Sequence, residues 1–426
     1  MSYKLFTKLY RARIIWLLAA LVLVLAACTA APEPVAEPVQ EPDTQAAEAA
    51  EVENEAAGAK EEVEEVAAEA VEEAMGEVED IVVKHSTDYL ADETLASADG
   101  EMVDTSQWKK EGPYTIGFIN WASSNSWVAQ VDAELKHEAS LFPEIEELII
   151  TSAEGDSNKQ ISLIEDMIVR GVDALLIIPV SGEAVAPAIE EATAAGIPVV
   201  VFSTSTTTDQ YLTYLQADEV QFGRLIGDYL MEQLNCEGDI IVLNGQAGVS
   251  TSDSRRAGLD DAMAACPDGG AGINILAEED TQWAYDQGKL ATERMIAAFG
   301  DQIDGVWSQG GSPAQGAIDA FEAAGLPLVP ITGEDNNGFM LAWKERLPQG
   351  FKSIAASEPT WQSRVALQAA LKALQGIPLS DFYSLKVPTI TEDEIDDYAR
   401  PEYSDAYWTN SLLPKEIADE LYLKDE

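Results

Sequence analysis

Basic residues are scarce: 25 Lys and Arg stand against 76 Asp and Glu among 426 residues, a formal charge of -51. A surface so negative repels phosphate backbones, which excludes nucleic acid as a partner. It equally disfavours electrostatic adhesion to anionic lipid, so any membrane contact has to be apolar or covalent. Histidine is nearly absent. His85 precedes the folded region, and His137 belongs on a helix away from strand ends. No general base is therefore at hand for the stretch Gly310-Gly-Ser-Pro-Ala314, which resembles a nucleophile elbow but lacks its final Gly. No Cys/His spacing suggests zinc, and Asp335-Asn-Asn-Gly338 is too short a piece of a calcium loop. The adjacent Glu334 and Asp335 leave no room between them for a glycosidic bond. The chain thus reads as a protein without catalytic machinery, metal or cofactor.

Long apolar runs are also few. One extends from Ile14 to Ala27 behind Lys4, Lys8, Arg11 and Arg13, and it ends in Leu25-Ala26-Ala27-Cys28. A basic start, an apolar core and small residues before a Cys look like the export signal and lipobox of a bacterial lipoprotein, with Cys28 as the lipidated residue. Residues 1–28 are then the leader, and the bulk lies outside the cytoplasm, lipid-anchored to the membrane. Thr29 to Asp80 carries 18 acidic residues against the single Lys60, so charge repulsion opposes collapse and residues 29–112 read as a disordered acidic stalk followed by an arm. The remaining cysteines, Cys236 and Cys266, face an oxidising compartment. They flank a strand and the helix after it, at the same end of a βα unit. A disulfide is expected, with two buried free thiols as the alternative.

From Tyr114 short β-rich runs alternate with longer amphipathic stretches. Strands are expected at Thr115–Ile119, Leu148–Thr151, Ala174–Ile178 and Pro198–Phe202, then again at Asp239–Leu243, Ile273–Ala277, Gly305–Ser308 and Leu328–Thr332. That is the pattern of α/β units with parallel sheets, given twice. An internal echo supports the division: the segment from Ala188 to Val200 recurs as Ala317 to Val329, each copy passing from helix through Gly (Gly196, Gly325) and Pro into a strand. Ligands of such sheets bind beyond the carboxyl ends of the strands. The loops Ser203-Thr204-Ser205-Thr206 and Gly333-Glu334-Asp335-Asn336 should therefore face each other across a cleft.

The phrases Gly171-Val-Asp-Ala-Leu-Leu-Ile-Ile-Pro179 and Ala194-Ala-Gly-Ile-Pro-Val-Val200, Arg255 at a helix start and Gly316-Ala317, in that order, resemble the type 1 periplasmic-binding-protein family, in particular ribose-type sugar-binding proteins of ABC importers. The resemblance spans about Tyr114 to Pro388. It implies two Rossmann-like lobes joined by three hinge crossovers, near Ala217, Ser357 and Lys386. The first lobe is then 113–217 plus 358–386, and the second 218–357 plus 387–426 with the tail. It also implies a small-molecule ligand, a sugar or related polyol, an ABC permease as partner, and a monomer. A receptor feeding a chemoreceptor or kinase, or a nucleoside binder, is the alternative. Cytoplasmic repressors of the same family need a helix-turn-helix that this chain lacks.

By the same resemblance Asn125 and Trp127 contact the ligand, the indole covering a sugar face while the amide pairs with hydroxyls. Arg255 offers a fork for vicinal hydroxyls, Trp283 a second aromatic wall, and Asp335 an acceptor of two hydroxyl donors. Core packing for Trp127 and a salt bridge in the first helical turn for Arg255 are the bland alternatives. Trp121 is a further aromatic on the first loop. The departures are Ser203 and Thr204 in place of Asp-Arg, and Gly310 after Gln309 in place of Asn. These imply a roomier, less charged site for another ligand than ribose. Ser357, with Glu358 beside it, replaces a Gln at the second crossover, as hinge or contact. The tail after Pro388 is expected to pack on the second lobe, with its aromatics outside the site.

Overall fold

Runs such as Ala174-Leu-Leu-Ile and Val199-Val-Val-Phe are apolar at every position, the mark of strands covered on both faces. A computed structural model of the chain describes residues 80–123 and 125–424. The leader, Cys28 and the stalk up to Glu79 lie outside the described residues. Among the described residues no helix is long and apolar enough to cross a membrane.

An N-terminal arm holds α1 (Ile81–His85), β1 (Ala96–Ala98) and β2 (Met102–Val103). The first series follows as β3 (Tyr114–Asn120), α2 (Ser126–Ser140), β4 (Ile145–Ser152), α3 (Ser157–Arg170), β5 (Ala174–Ile177), α4 (Gly182–Ala194), β6 (Val199–Phe202) and β7 (Thr213–Ala217). The second begins with α5 (Glu219–Gln233), β8 (Gly238–Asn244), α6 (Ser250–Ala264), β9 (Ile273–Asp280) and α7 (Tyr285–Phe299). It continues through β10 (Gly305–Ser308), α8 (Gly311–Ala323), β11 (Ile331–Glu334), α9 (Asn337–Arg346) and β12 (Ser353–Ala356). Then α10 (Gln362–Gln375), β13 (Leu379–Ser380) and β14 (Phe382–Leu385) return to the first half, and β15 (Thr389–Ile390) rejoins the second. The tail adds α11 (Ile395–Tyr398) and α12 (Lys415–Tyr422).

One sheet has the order β1-β14-β7-β6-β5-β3-β4 and the other β15-β12-β11-β10-β8-β9. Both are parallel except for the antiparallel edge strands β1 and β15. The chain therefore crosses between sheets three times, after Ala217, Ala356 and Leu385. The repeated helix ends are built alike, with Gly196 at φ 86° and Gly325 at φ 69°, a conformation that only Gly adopts without cost. After them the copies diverge. The strand expected over Leu328 to Thr332 is displaced and spans Ile331–Glu334, because Pro330 has no N–H for the ladder.

The arm and the tail are more integrated than the sequence suggests. All 14 residues of α10 are buried, including Arg364, Gln368 and Lys372. A buried charge needs a partner. Lys372 finds Asp80 and Asp88 of the arm at 2.7 and 2.8 Å, and Gln368 bonds the backbone of Thr87 and Tyr89. Arg364 pairs with Glu134 and Glu138 of α2 and donates to the carbonyl of Leu412 in the tail. The tail packs on both lobes, not on the second alone. Asn337 at the start of α9 binds the carbonyls of Arg400, Tyr403 and Ser404, while Gln130 of α2 exchanges two 2.9 Å hydrogen bonds with the backbone of Trp408. Cys236, just after α5, and Cys266, just after α6, are joined by a disulfide that closes a separation of 30 residues.

Candidate functional site

Between the two sheets lies a cavity of about 500 Å³, a size that suits a small molecule. Its first-lobe wall comes from the loop after β3 and the start of α2, with Trp121, Asn125 and Trp127, and from Ser203 and Thr204 after β6. Its second-lobe wall comes from Arg255 on α6, Trp283 and Tyr285 before and in α7, Gly310 and Gly311 after β10, and Glu334 at the tip of β11. Glu358, two residues into the second crossover, and Trp408 of the tail complete it.

Local chemistry fixes several of these groups. Asn125 caps α2, its Oδ1 accepting from the Trp127 N–H at 2.8 Å. The Trp127 indole donates to the Glu358 carbonyl at 3.0 Å. Ser203 sits at φ 63°, and Gln282 and Trp283 at φ 55° and 52°, a left-handed region that costs non-Gly residues and persists where surroundings enforce it. The enforcement at Trp283 is visible. A Cβ on Gly245 would run into its indole, and one on Gly310 would lie 2.9 Å from its Cδ1. The space left by Gly310 is therefore filled by Trp283 and Pro313 instead of widening the site.

Arg255 is the electrostatic centre, 1% exposed and stacked with its Cζ 3.7 Å from the Phe222 ring centroid. Its Nε donates to Glu219 at 2.6 Å, Nη1 to Glu334 at 3.0 Å and to the Gln309 carbonyl at 2.8 Å, and Nη2 to Glu358 at 2.8 Å. Four of the five guanidinium N–H groups thus point at the protein, so the fork expected to grip a ligand grips three carboxylates. Glu358 ties the lobes together, since its other oxygen accepts from Ser203 Oγ at 2.8 Å and from Gln362 Nε2 at 3.2 Å. One shared cation cannot offset the burial of all three acids. Burial pushes the Glu334 carboxyl up to about 8 against the pull of Arg255, with Glu358 and Asp335 adding to the rise, and it pushes Glu219 well above the carboxylate range.

Six of the expected contacts line the cavity: Asn125, Trp127, Ser203, Thr204, Arg255 and Trp283. Gln309, Asp335 and Ser357 do not. Gln309 is fully buried, its amide donating to Asn244 and to the Ser252 carbonyl. Asp335 faces the tail, its Oδ2 accepting from the Asn410 N–H at 2.7 Å and from Thr409 Oγ1 at 3.4 Å, and burial pushes its carboxyl up to about 6. Ser357 accepts from Asn410 Nδ2 at 3.0 Å. The displacement of β11 by Pro330 puts Glu334 at the strand tip in Asp335's stead. Sequence reasoning missed Glu334, Glu219 and Trp408. A signal existed for Glu219, which lies within two residues of a crossover as the already noted Glu358 does, whereas Trp408 is separated from its partner Gln130 by 278 residues.

Comparison with known proteins places this geometry. A profile described as a periplasmic binding protein domain matches residues 116–378. The chain is 29% identical over 250 residues to a xylitol-binding protein of Mycolicibacterium smegmatis, covering 59% of this chain and 70% of that one. It is 26% identical to a ribose import binding protein of Bacillus subtilis over 63% of this chain and 83% of the relative. With the D-ribose/D-allose-binding protein of Pseudomonas aeruginosa the identity is 31%, over 52% and 70%. Among solved structures, a galactofuranose binding protein superposes with a TM-score of 0.61 at 25% identity, over 67% of this chain and 97% of that one. The binding protein of an arabinose ABC transporter from Shewanella gives 0.61 at 25%, over 66% and 93%. With two parallel sheets, three crossings and a cavity at the strand tips, the chain belongs to the periplasmic binding protein family, in its type 1 form.

Proposed function

We propose that this protein is the extracytoplasmic substrate-binding component of an ABC importer, capturing a small hydroxylated molecule between its lobes, and that it acts as a monomer tethered through lipid on Cys28. The lobes comprise 113–217 plus 358–386 and 218–357 plus 387–426. The permease is the partner to which the closed, loaded form is offered. The observation that carries this reading is the cavity of about 500 Å³ at the carboxyl ends of both sheets, walled by indoles and by polar groups from each lobe. Indoles cover the apolar faces of a sugar or polyol, and carboxylates accept from its hydroxyls. The relatives named above are binders of xylitol, ribose and allose, which supports the same ligand class.

Capture follows from the hinge geometry. Glu358 lies on a crossover and binds groups of both lobes, so a ligand bridging Trp127 and Ser203 on one side with Glu334 and Trp283 on the other stabilises closure by its differential contacts. The test is a thermal-shift screen against pentoses, hexoses, their furanose-forming members and alditols, followed by calorimetry. The protein should start no later than Asp80, since Asp80 holds Lys372 in the core. A stabilising sugar or alditol is expected, because binding to the native state raises its melting temperature. A response to nucleosides or amino acids alone overturns the reading.

A further inference from the structure

The cavity is flanked by more acids than its one guanidinium can neutralise. Among its lining residues Arg255 is the single Lys, Arg or His, and it already serves Glu219, Glu334 and Glu358. Glu334 is 5% exposed and lines the cavity, with Oε1 on Arg255, and Oε2 receives no hydrogen bond from a described residue. Glu219 Oε1 is likewise buried without a donor. Three acids about one guanidinium leave two negative charges in a desolvated pocket, a state that is costly unless protons or a cation arrive.

The rest of the wall suits a cation. Trp121, Trp127, Trp283, Trp408 and Tyr285 bring aromatic rings from the first lobe, the second lobe and the tail to one cavity. Ring faces attract ammonium groups, and more strongly once water is removed. An anionic ligand finds no free donor of positive charge. A neutral sugar supplies hydroxyl donors but makes no use of a carboxylate's charge.

We propose that the ligand is a small organic cation, a protonated amine on a hydroxylated body, with its ammonium seated on Glu334 and Glu358 and its carbon frame between the indoles. The proposal rests on the reading of the cavity as a sugar or polyol site and narrows its chemistry. Burial holds protons on the empty site near neutral pH, on Glu334 flanked by Arg255, Glu219, Glu358 and Asp335, and an arriving ammonium displaces one.

The experiment is calorimetry on the whole chain in detergent at pH 7, with matched pairs: 1-amino-1-deoxy-D-sorbitol against D-sorbitol, and D-glucosamine and D-galactosamine against D-glucose and D-galactose. At least one amine should bind more than about tenfold tighter than its neutral partner. Its binding, repeated in buffers of different ionisation enthalpy, should release protons, and Glu334→Gln should weaken the amine about tenfold more than it weakens the neutral partner. Neutral members binding as well as the amines, or amine binding without proton release, overturns the cationic assignment and leaves the sugar or polyol reading standing. No binding by either member of any pair, in a protein that answers to another sugar or alditol of the screen, overturns the cationic assignment alone, and no response to any sugar, alditol or amine overturns both. Proton release is measured on the unaltered chain, so the outcome does not hang on the folding of the variant.

Discussion

Glu334 and Asp335 are neighbours with separate assignments, one at the cavity and one under the tail, and both have carboxyls raised by burial, to about 8 and about 6. A carboxyl whose folded pKa exceeds its unfolded value stabilises the fold fully below the unfolded value, and that stability is lost as pH rises through the folded one. For Glu334 the window runs from about 4.5 to about 8. Glu334→Gln, which mimics the protonated form, should therefore melt with the parent at pH 5 and several degrees above it at pH 8.5. Melting curves by circular dichroism check this, and a variant that melts lower at pH 8.5 contradicts it. The difference between the two acids was not legible in the sequence. Of the segment Gly333 to Asn336 that the duplicated helix and strand placed at the cleft, Glu334 alone lines the cavity, and which side chain does so depends on where β11 starts. Pro330 sets that, three residues beyond the position implied by the first copy. Asn125, Trp127, Ser203 and Thr204 were legible because they follow their strands without such a break.

At the scale of elements, the strands of continuous apolar residues stood out in the sequence, whereas β7, β12 and β14 did not. They are no shorter than β5 or β6, but Thr213, Gln216, Ser353 and Ser384 interrupt their apolar runs, and each leads into a crossover. The arm and tail show why periodicity fails for segments whose helices and strands are few and short. Their stabilisation comes from single docked groups, such as Asp80 and Asp88 on Lys372 or Ser411 on Glu134. The bond between Cys236 and Cys266 ties the ends of α5 and α6, which pack side by side in the second lobe. Closing 30 residues removes chain entropy from the unfolded state, about 3 to 4 kcal/mol on the loop-length relation. A double Cys236→Ser and Cys266→Ser variant should lose stability on that scale in denaturant titrations of the second-lobe transition. A loss under about 1 kcal/mol would show strain or residual structure offsetting the entropy.

Taken whole, the molecule is two parallel sheets held at three crossings, with Glu219 and Glu358 beside two of them and Arg255 bridging both acids. The tail adds a fourth tie, gripping α9 through Asn337 and α2 through Gln130, and it contributes Trp408, whose Nε1 donates to Ser126 at 3.1 Å, to the cavity wall. Trp408→Ala should speed dissociation of whichever ligand the screen identifies by about tenfold, read in stopped-flow fluorescence, with a smaller effect on association. An unchanged dissociation rate would make Trp408 a bystander.

The stretch from Arg400 to Leu413 therefore acts as a check-rein. On the proposed reading the halves can part only as far as its slack permits, so the rate at which cargo is surrendered would depend on residues that belong to neither sheet. Lengthening that stretch by a few flexible residues would turn a guarded vessel into a gaping one, tuning delivery without altering a single wall of the chamber.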